Sequence, residues 1–224
     1  MAQEAHVLDK GFVRLIDQMG SDQRVVEAAR VSTGSQSSDP ERDRDLIFYL
    51  AEHGHGTPFE KVVFEFHVKC PLFVARQWFR HRIGSFNERS ARYRKFDEEF
   101  YVPDLSTLPD TYSEQDLAAY RESLHGAYET YERLFAKVSV GSREQRARAR
   151  EIWRALLGTA FYTEFFWTVN LRSLMNFLKL RAHPTAQYEI RVYAKAIGEI
   201  VRRTVPLSYE AFERFVLSRE THEP

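Results

Sequence analysis

Thirteen consecutive residues, Arg80-His81-Arg82-Ile83-Gly84-Ser85-Phe86-Asn87-Glu88-Arg89-Ser90-Ala91-Arg92, concentrate the groups in this chain that could do chemistry. They hold five cations or potential cations, two serines, an asparagine and one glutamate. Guanidinium forks and short hydroxyls at this density suit phosphate and planar, carbonyl-rich rings; a solvated face would interleave lysine with glutamate. Consecutive helix residues are about 100° apart, so Arg80, His81 and Arg82 cannot share a face, although Gln77 can pair with Arg80 or His81. A basic helix end favoured by the helix dipole would explain the triplet alone. The Ser-x-Asn-x-x-Ser-x-Arg continuation shifts the reading towards a site for anions and heterocycles.

Arg181 is the second candidate. It falls three residues after Leu178 and seven after Leu174, on the apolar stripe of its own helix. A guanidinium there must be paired or face a ligand, because an unpaired buried charge is very costly. It stays protonated, so it cannot be a base, but it can stabilise negative charge developing on a ring. The bland alternative is an arginine snorkelling from a helix end. Glu151 and Arg154 share a helix face at i, i+3, by default as a surface pair. Asn170, Arg172 and Asn176 are polar residues around an otherwise apolar helix.

Other signals are weaker. His53-Gly54-His55-Gly56 with Glu60 could be drawn as a metal site, but two histidines two residues apart with no further ligand cluster read as a loop. Gly54-x-Gly56-x-x-Phe59 lacks the third glycine of a dinucleotide fingerprint. Cys70 sits at a strand-to-helix junction where a thiolate could be stabilised, yet a lone cysteine beside an apolar run is more often a small buried hydrophobe. Ser90 has no visible histidine–aspartate partnership.

The elements that must position these groups follow from pattern. Phe12 to Met19 alternates loosely and predicts a strand, after which Ser21 or Asp22 caps a helix to about Val31. Residues 33–38 are loop material, and Asp39-Pro40 opens a helix stopped near Gly54. Val62 to Lys69 places Phe64, Phe66 and Val68 on one face and Glu65, His67 and Lys69 on the other, as a half-buried antiparallel strand does. Pro71 to Phe79 is an apolar helix leading into the arginine motif. Ser113-Glu114-Gln115-Asp116 resembles a capping box before a helix to about Val138, and Gly141-Ser142 separates it from a helix ending near Gly158. Tyr162 to Val169 is strand-like. Asn170 caps a helix with Leu171, Leu174, Met175 and Leu178 on one face, and helices follow at Ala186 to Arg203 and Ser208 to Leu217. The expectation is an α+β fold, a small mostly antiparallel sheet with packed helices, helix-rich, as a single domain over residues 1–224.

Thirty-two basic and thirty-two acidic side chains cancel, which argues against wholesale nucleic-acid binding but not against a local cationic pocket. No secretory signal or membrane-length apolar run is visible, and a single cysteine fits a reducing compartment, so a cytoplasmic protein is expected.

The spacing Arg80-His81-Arg82-x-x-Ser85-x-Asn87-x-x-Ser90-x-Arg92 resembles the signature of flavin-dependent thymidylate synthases, with all seven fixed positions present. The resemblance includes His53 to Glu60 and Phe73 to Phe79, resumes at Phe165 to Phe177, and ends near Arg181. It departs at Ala91, where many members have glycine, and at Gly158, where a proline is common. It implies a homotetramer with FAD at subunit contacts, making dTMP from dUMP with methylenetetrahydrofolate as carbon donor and NADPH as reductant. By motif position, Thr57, Arg80, His81, Arg82, Glu88, Asn170, Leu171, Arg172 and Asn176 would line the FAD site, with Ser32 and His55 as additions. Gln77, Arg80, Ser90, Arg92, Arg154 and Arg181 would hold dUMP, with Glu88, Arg89 and Ala91 nearby. Arg181 would polarise the uracil ring. The resemblance implies no metal, membrane or specific nucleic acid.

Two readings of other classes compete. Arginine, serine and aromatic density also suits a non-catalytic RNA- or nucleotide-binding module. A cysteine-dependent transferase would rest on Cys70.

Overall fold

Alternating apolar residues build the sheet that organises this molecule, a computed structural model describing residues 3–31, 34, 39–90 and 95–217. Its strands are β1 (Glu4–Val7), β2 (Gly11–Met19), β3 (Val63–Pro71), β4 (Ser85–Glu88) and β5 (Tyr162–Asn170). They lie in the order β1-β2-β3-β5-β4, and every neighbouring pair is antiparallel. In β3, Phe64, Phe66 and Val68 are fully buried while Glu65, His67 and Lys69 are half-buried, as the alternation predicts. The register of β3 on β5 runs from Val63 opposite Asn170 to Pro71 opposite Tyr162. That pairing sets the two helices following these strands, α3 (Leu72–Trp78) and α6 (Leu171–Arg181), at opposite ends of the strand pair.

The remaining helices are α1 (Asp22–Arg30), α2 (Pro40–Glu52), α4 (Glu114–Phe135), α5 (Arg143–Trp153), α7 (Tyr188–Thr204) and α8 (Pro206–Phe212). The α+β expectation holds, and the predicted helices are found within a few residues of their bounds. Asp39 caps α2 by accepting from the Glu41 N–H, with Pro40 at the first turn, and Gly54 beyond its end has φ +70°. Ser113 and Asp116 form a full capping box on α4. Asn170 accepts from the Ser173 N–H at 2.9 Å and starts α6. Ser21 precedes α1 without a side-chain cap bond, and the Asp22 carboxylate accepts from Leu207 N, Ser208 N and Ser208 Oγ.

Two strands were not expected. β1 and β4 have four residues each, too short for alternation to register. β4 also changes the geometry of the arginine motif: α3 stops at Trp78, so Arg80, His81 and Arg82 lie in the turn between helix and strand. The helical face argument therefore ends at Gln77. Ser32, Ala91 and Arg92, and most of the loop at 33–38, lie outside the described residues.

One large core joins the sheet to α1, α2, α3, α6, α7 and α8, with Trp78 at its centre against Phe165, Trp167, Phe177 and Tyr193. Aromatic pairs of this kind add roughly 0.5–1.5 kcal/mol each beyond their area. A second, smaller core of Phe96, Tyr128, Tyr131, Leu157 and Phe161 lies under α4 and the segment after α5. Among the described residues, no helix is long and apolar enough to cross a membrane.

Candidate functional site

Three groups of the predicted residues are brought together. The first surrounds a cavity of about 540 Å³ lined by Glu88, Arg89, Ser90 and Arg154, with Phe96 and Leu157 as apolar wall. Glu88 closes β4, and Arg154 follows α5, so elements more than sixty residues apart in sequence meet here. Arg89 is heavily compensated. Its side chain is 18% exposed, its guanidinium lies 3.2 Å from Asp97 and 3.8 Å from Glu164, and its Cζ sits 4.6 Å over the Phe96 ring. Glu88 accepts a 2.8 Å bond from the buried Thr163 hydroxyl. Arg154 is exposed and donates through Nε to the Glu151 carbonyl at 3.2 Å. The expected side-chain pairing of Glu151 and Arg154 is thus a backbone contact, and the Glu151 carboxylate faces Arg148 at 4.0 Å.

The second group joins the ends of α3 and α6. Arg181 donates from Nε to Nε2 of His81 at 2.9 Å and from a terminal nitrogen to the Gln77 carbonyl at 3.5 Å. The imidazole must accept at Nε2, so His81 is neutral with its proton on Nδ1. Burial, and then the Arg181 charge, push its pKa down to about 4. Burial also lowers the pKa of Arg181, although an arginine remains charged. The requirement that Arg181 be paired is met by a neutral acceptor rather than an anion. Among the described residues, no carboxylate lies within ion-pair distance of Arg181, Arg80 or Arg82. The Gln77 amide donates to Gln187 at the start of α7, a partner the sequence reading did not single out.

The third group lies along α6 and the loop after α2. Cavities of about 750 and 220 Å³ share Leu50, Gly54, Gly56 and Arg172. His55 and Thr57 line the larger, Asn176 the smaller. A Cβ on Gly56 would fall 2.6 Å from Arg172 Nε, so glycine leaves room for that arginine. Arg172 bridges to Glu60 at 2.6 Å. Asn170 spends its side-chain oxygen on the cap of α6. The Leu171 side chain is fully buried, its N–H donates to Val62 O at 2.8 Å, and its carbonyl opens the hydrogen-bond ladder of α6. Arg80 and Arg82 are exposed and belong to none of the three cavities.

Cys70 fits the bland reading. It is fully buried, and burial with the nearby Glu88 charge raises its thiol pKa well above the ordinary value, which disfavours a thiolate. His53 lies tilted against the Tyr49 ring and His55 meets that ring edge-on, and no metal-binding cluster of three or more ligands occurs among the described residues.

The family model described as thymidylate synthase complementing protein matches residues 14–207. The chain is similar to the flavin-dependent thymidylate synthase of Thermosipho africanus, 47% identical over 95% of each chain. It is also similar to that of Thermus thermophilus, 48% identical over 94% of this chain and 78% of the relative. Among solved structures it is similar to a UMP/dUMP methylase, PolB of Streptomyces cacaoi bound with 5-Br dUMP, with TM-score 0.83, 33% identity and coverage of 95% and 99%.

Proposed function

The chain belongs to the flavin-dependent thymidylate synthase family, and from that premise we propose that it methylates dUMP to dTMP, taking the carbon from methylenetetrahydrofolate and the hydride from NADPH through bound FAD. The observation that carries the reading is the meeting of Glu88, Arg89 and Ser90 with Arg154 around one cavity, while Arg181 stands apart beside a neutral histidine. The first supplies phosphate-binding groups and the second a guanidinium with no carboxylate partner among the described residues.

In this reading Arg154, Ser90 and Arg89, with Arg92, hold the phosphate, whose binding energy orients the ring. Gln77 and Arg181 take the uracil. Carbon 5 of uracil is a weak nucleophile until negative charge spreads over the ring, and Arg181 stabilises that charge without exchanging a proton. Buried Cys70 plays no covalent part. The shared cavities at Gly56 and Arg172, with His55, Thr57 and Asn176 on their walls, fit a large cofactor with anionic and aromatic parts. FAD bound there would supply the hydride chemistry, with the protein supplying orientation and electrostatics. Within one chain the three groups form separate walls, which supports sites completed between subunits of a homotetramer. The 224 residues act as one domain of a cytoplasmic enzyme.

The test is direct. Protein purified under native conditions should show flavin absorbance, lose it on addition of NADPH, and form dTMP from dUMP and methylenetetrahydrofolate. UMP assayed in parallel reports whether a ribose 2′-hydroxyl is tolerated. Colourless protein that cannot be loaded with FAD would end this reading.

A further inference from the structure

The cavity wall at Arg89 is built from behind by the smaller core. Phe96 lies directly against the guanidinium, lines the cavity, and is 5% exposed. Both polar groups of its backbone are held by tyrosines of α4: the Tyr128 hydroxyl donates to the Phe96 carbonyl at 3.0 Å, and the Phe96 N–H donates to Tyr131 Oη at 3.3 Å. Tyr128 and Tyr131 are three residues apart, so one helix face presents both hydroxyls to a single peptide segment. Burial raises both phenol pKa values, which keeps the rings neutral. Around Phe96, Lys95 pairs with Glu132 and His125 contacts Glu98 at 2.5 Å, so α4 holds the segment at residues 95, 96 and 98. Asp97, the next residue, is the one that pairs with Arg89.

We propose that Tyr128 and Tyr131 are positioning residues of the nucleotide site: by fixing the Phe96 backbone they hold the Arg89 wall of the cavity at the spacing that dUMP requires. This rests on the reading of the cavity as the dUMP site. Neither ring needs its hydroxyl to pack, since phenylalanine would fill the same core. What the hydroxyls add is a fixed height for Phe96, and with it the plane on which the Arg89 guanidinium lies. The other cation of the cavity, Arg154, is carried by the turn after α5, whose C-cap Leu157 shares this core. A shift of the Phe96 segment therefore changes the spacing between the two arginines.

The experiment uses the full chain loaded with FAD. Tyr128→Phe and Tyr131→Phe, singly and together, are assayed for kcat, for KM of dUMP, and for dUMP dissociation by calorimetry, with flavin content and thermal stability measured alongside. Loss of one buried hydrogen bond should raise KM and the dissociation constant about fivefold in each single variant, and about tenfold or more in the double, with kcat within about twofold. Flavin content should not change, because the cavities at Gly56 and Arg172 lie elsewhere. Phe96→Leu should mimic the double variant by removing the ring face under Arg89. A stable variant with unchanged dUMP affinity overturns the proposal, as does loss of kcat and flavin in proportion, which would mark a purely structural role. If wild-type protein binds dUMP without forming dTMP, the proposed reaction fails. The dissociation constants still decide the wall: a rise supports it, no change overturns it. Wild-type protein with no affinity for dUMP overturns both.

Discussion

Arg89 and Arg181 are both partly buried guanidiniums, and they live in opposite electrostatic settings. Arg89 lies between Asp97 and Glu164 with an aromatic ring on its face, so its charge is largely answered within the chain. Arg181 donates to an imidazole held neutral and to a backbone carbonyl, so among the described residues its charge is answered by dipoles. A compensated cation offers fixed N–H donors with little net charge left to attract an anion, so it shapes a wall more than it supplies binding charge. An uncompensated one is costly in the resting protein and most useful where negative charge appears during a reaction. The first region reads as a place to hold a substrate, the second as a place to change it.

Breaking that contrast at its active end should have the largest effect. Arg181→Ala should lower kcat by about 100-fold or more with the thermal transition retained, read from dTMP formation and circular dichroism. Unchanged turnover would leave Arg181 with no chemical role. At the holding end, Arg154→Ala should raise KM for dUMP by roughly 10- to 100-fold with a much smaller change in kcat. An equal fall in kcat would blur the division.

His81 offers a sharper probe. Its folded pKa, about 4, lies below the ordinary value of 6.5, so between those values the unfolded chain binds the extra proton. Stability should therefore fall as pH drops from about 6.5 to about 4 and level off below, and His81→Gln should flatten that slope in thermal melts of the apoprotein. An identical slope in the variant would mean the imidazole is not held neutral. Smaller still, Asp97→Asn should free part of the Arg89 charge and tighten dUMP binding about two- to threefold by calorimetry, since Asp97 is well exposed and its pair is screened. Weaker binding would show that Asp97 orients Arg89 more than it neutralises it. Cys70→Ala should leave turnover within about twofold while costing on the order of 1 kcal/mol of stability from the buried cavity. Lost turnover would revive the thiol mechanism.

Much of this was legible from local pattern. β3 reads from its alternation, α4 from Ser113 and Asp116, and α6 from Asn170, because caps and alternation are decided by neighbours in the chain. The demand that Arg181 be paired followed from its place on an apolar stripe. The identity of its partner did not, because His81 lies a hundred residues away and nothing local marks it as neutral. β4 was invisible for a related reason: Ser85–Glu88 has one apolar side chain and becomes a strand by pairing with β5. The helical face argument for Arg80 to Arg82 failed at the same place, since α3 ends early and the chain turns to reach that edge. Phe96, Tyr128 and Tyr131 carried no signal beyond being aromatic.

By itself, the order of residues determined which groups exist, how the longer elements start and stop, and which family the motif resembles, since these depend on side-chain type and short-range spacing. Only the tertiary structure decided which cations are neutralised and which are left exposed to a substrate. Charge compensation depends on distances of a few ångströms between side chains from distant segments, and those distances exist only once the sheet has set its register and the two cores have closed.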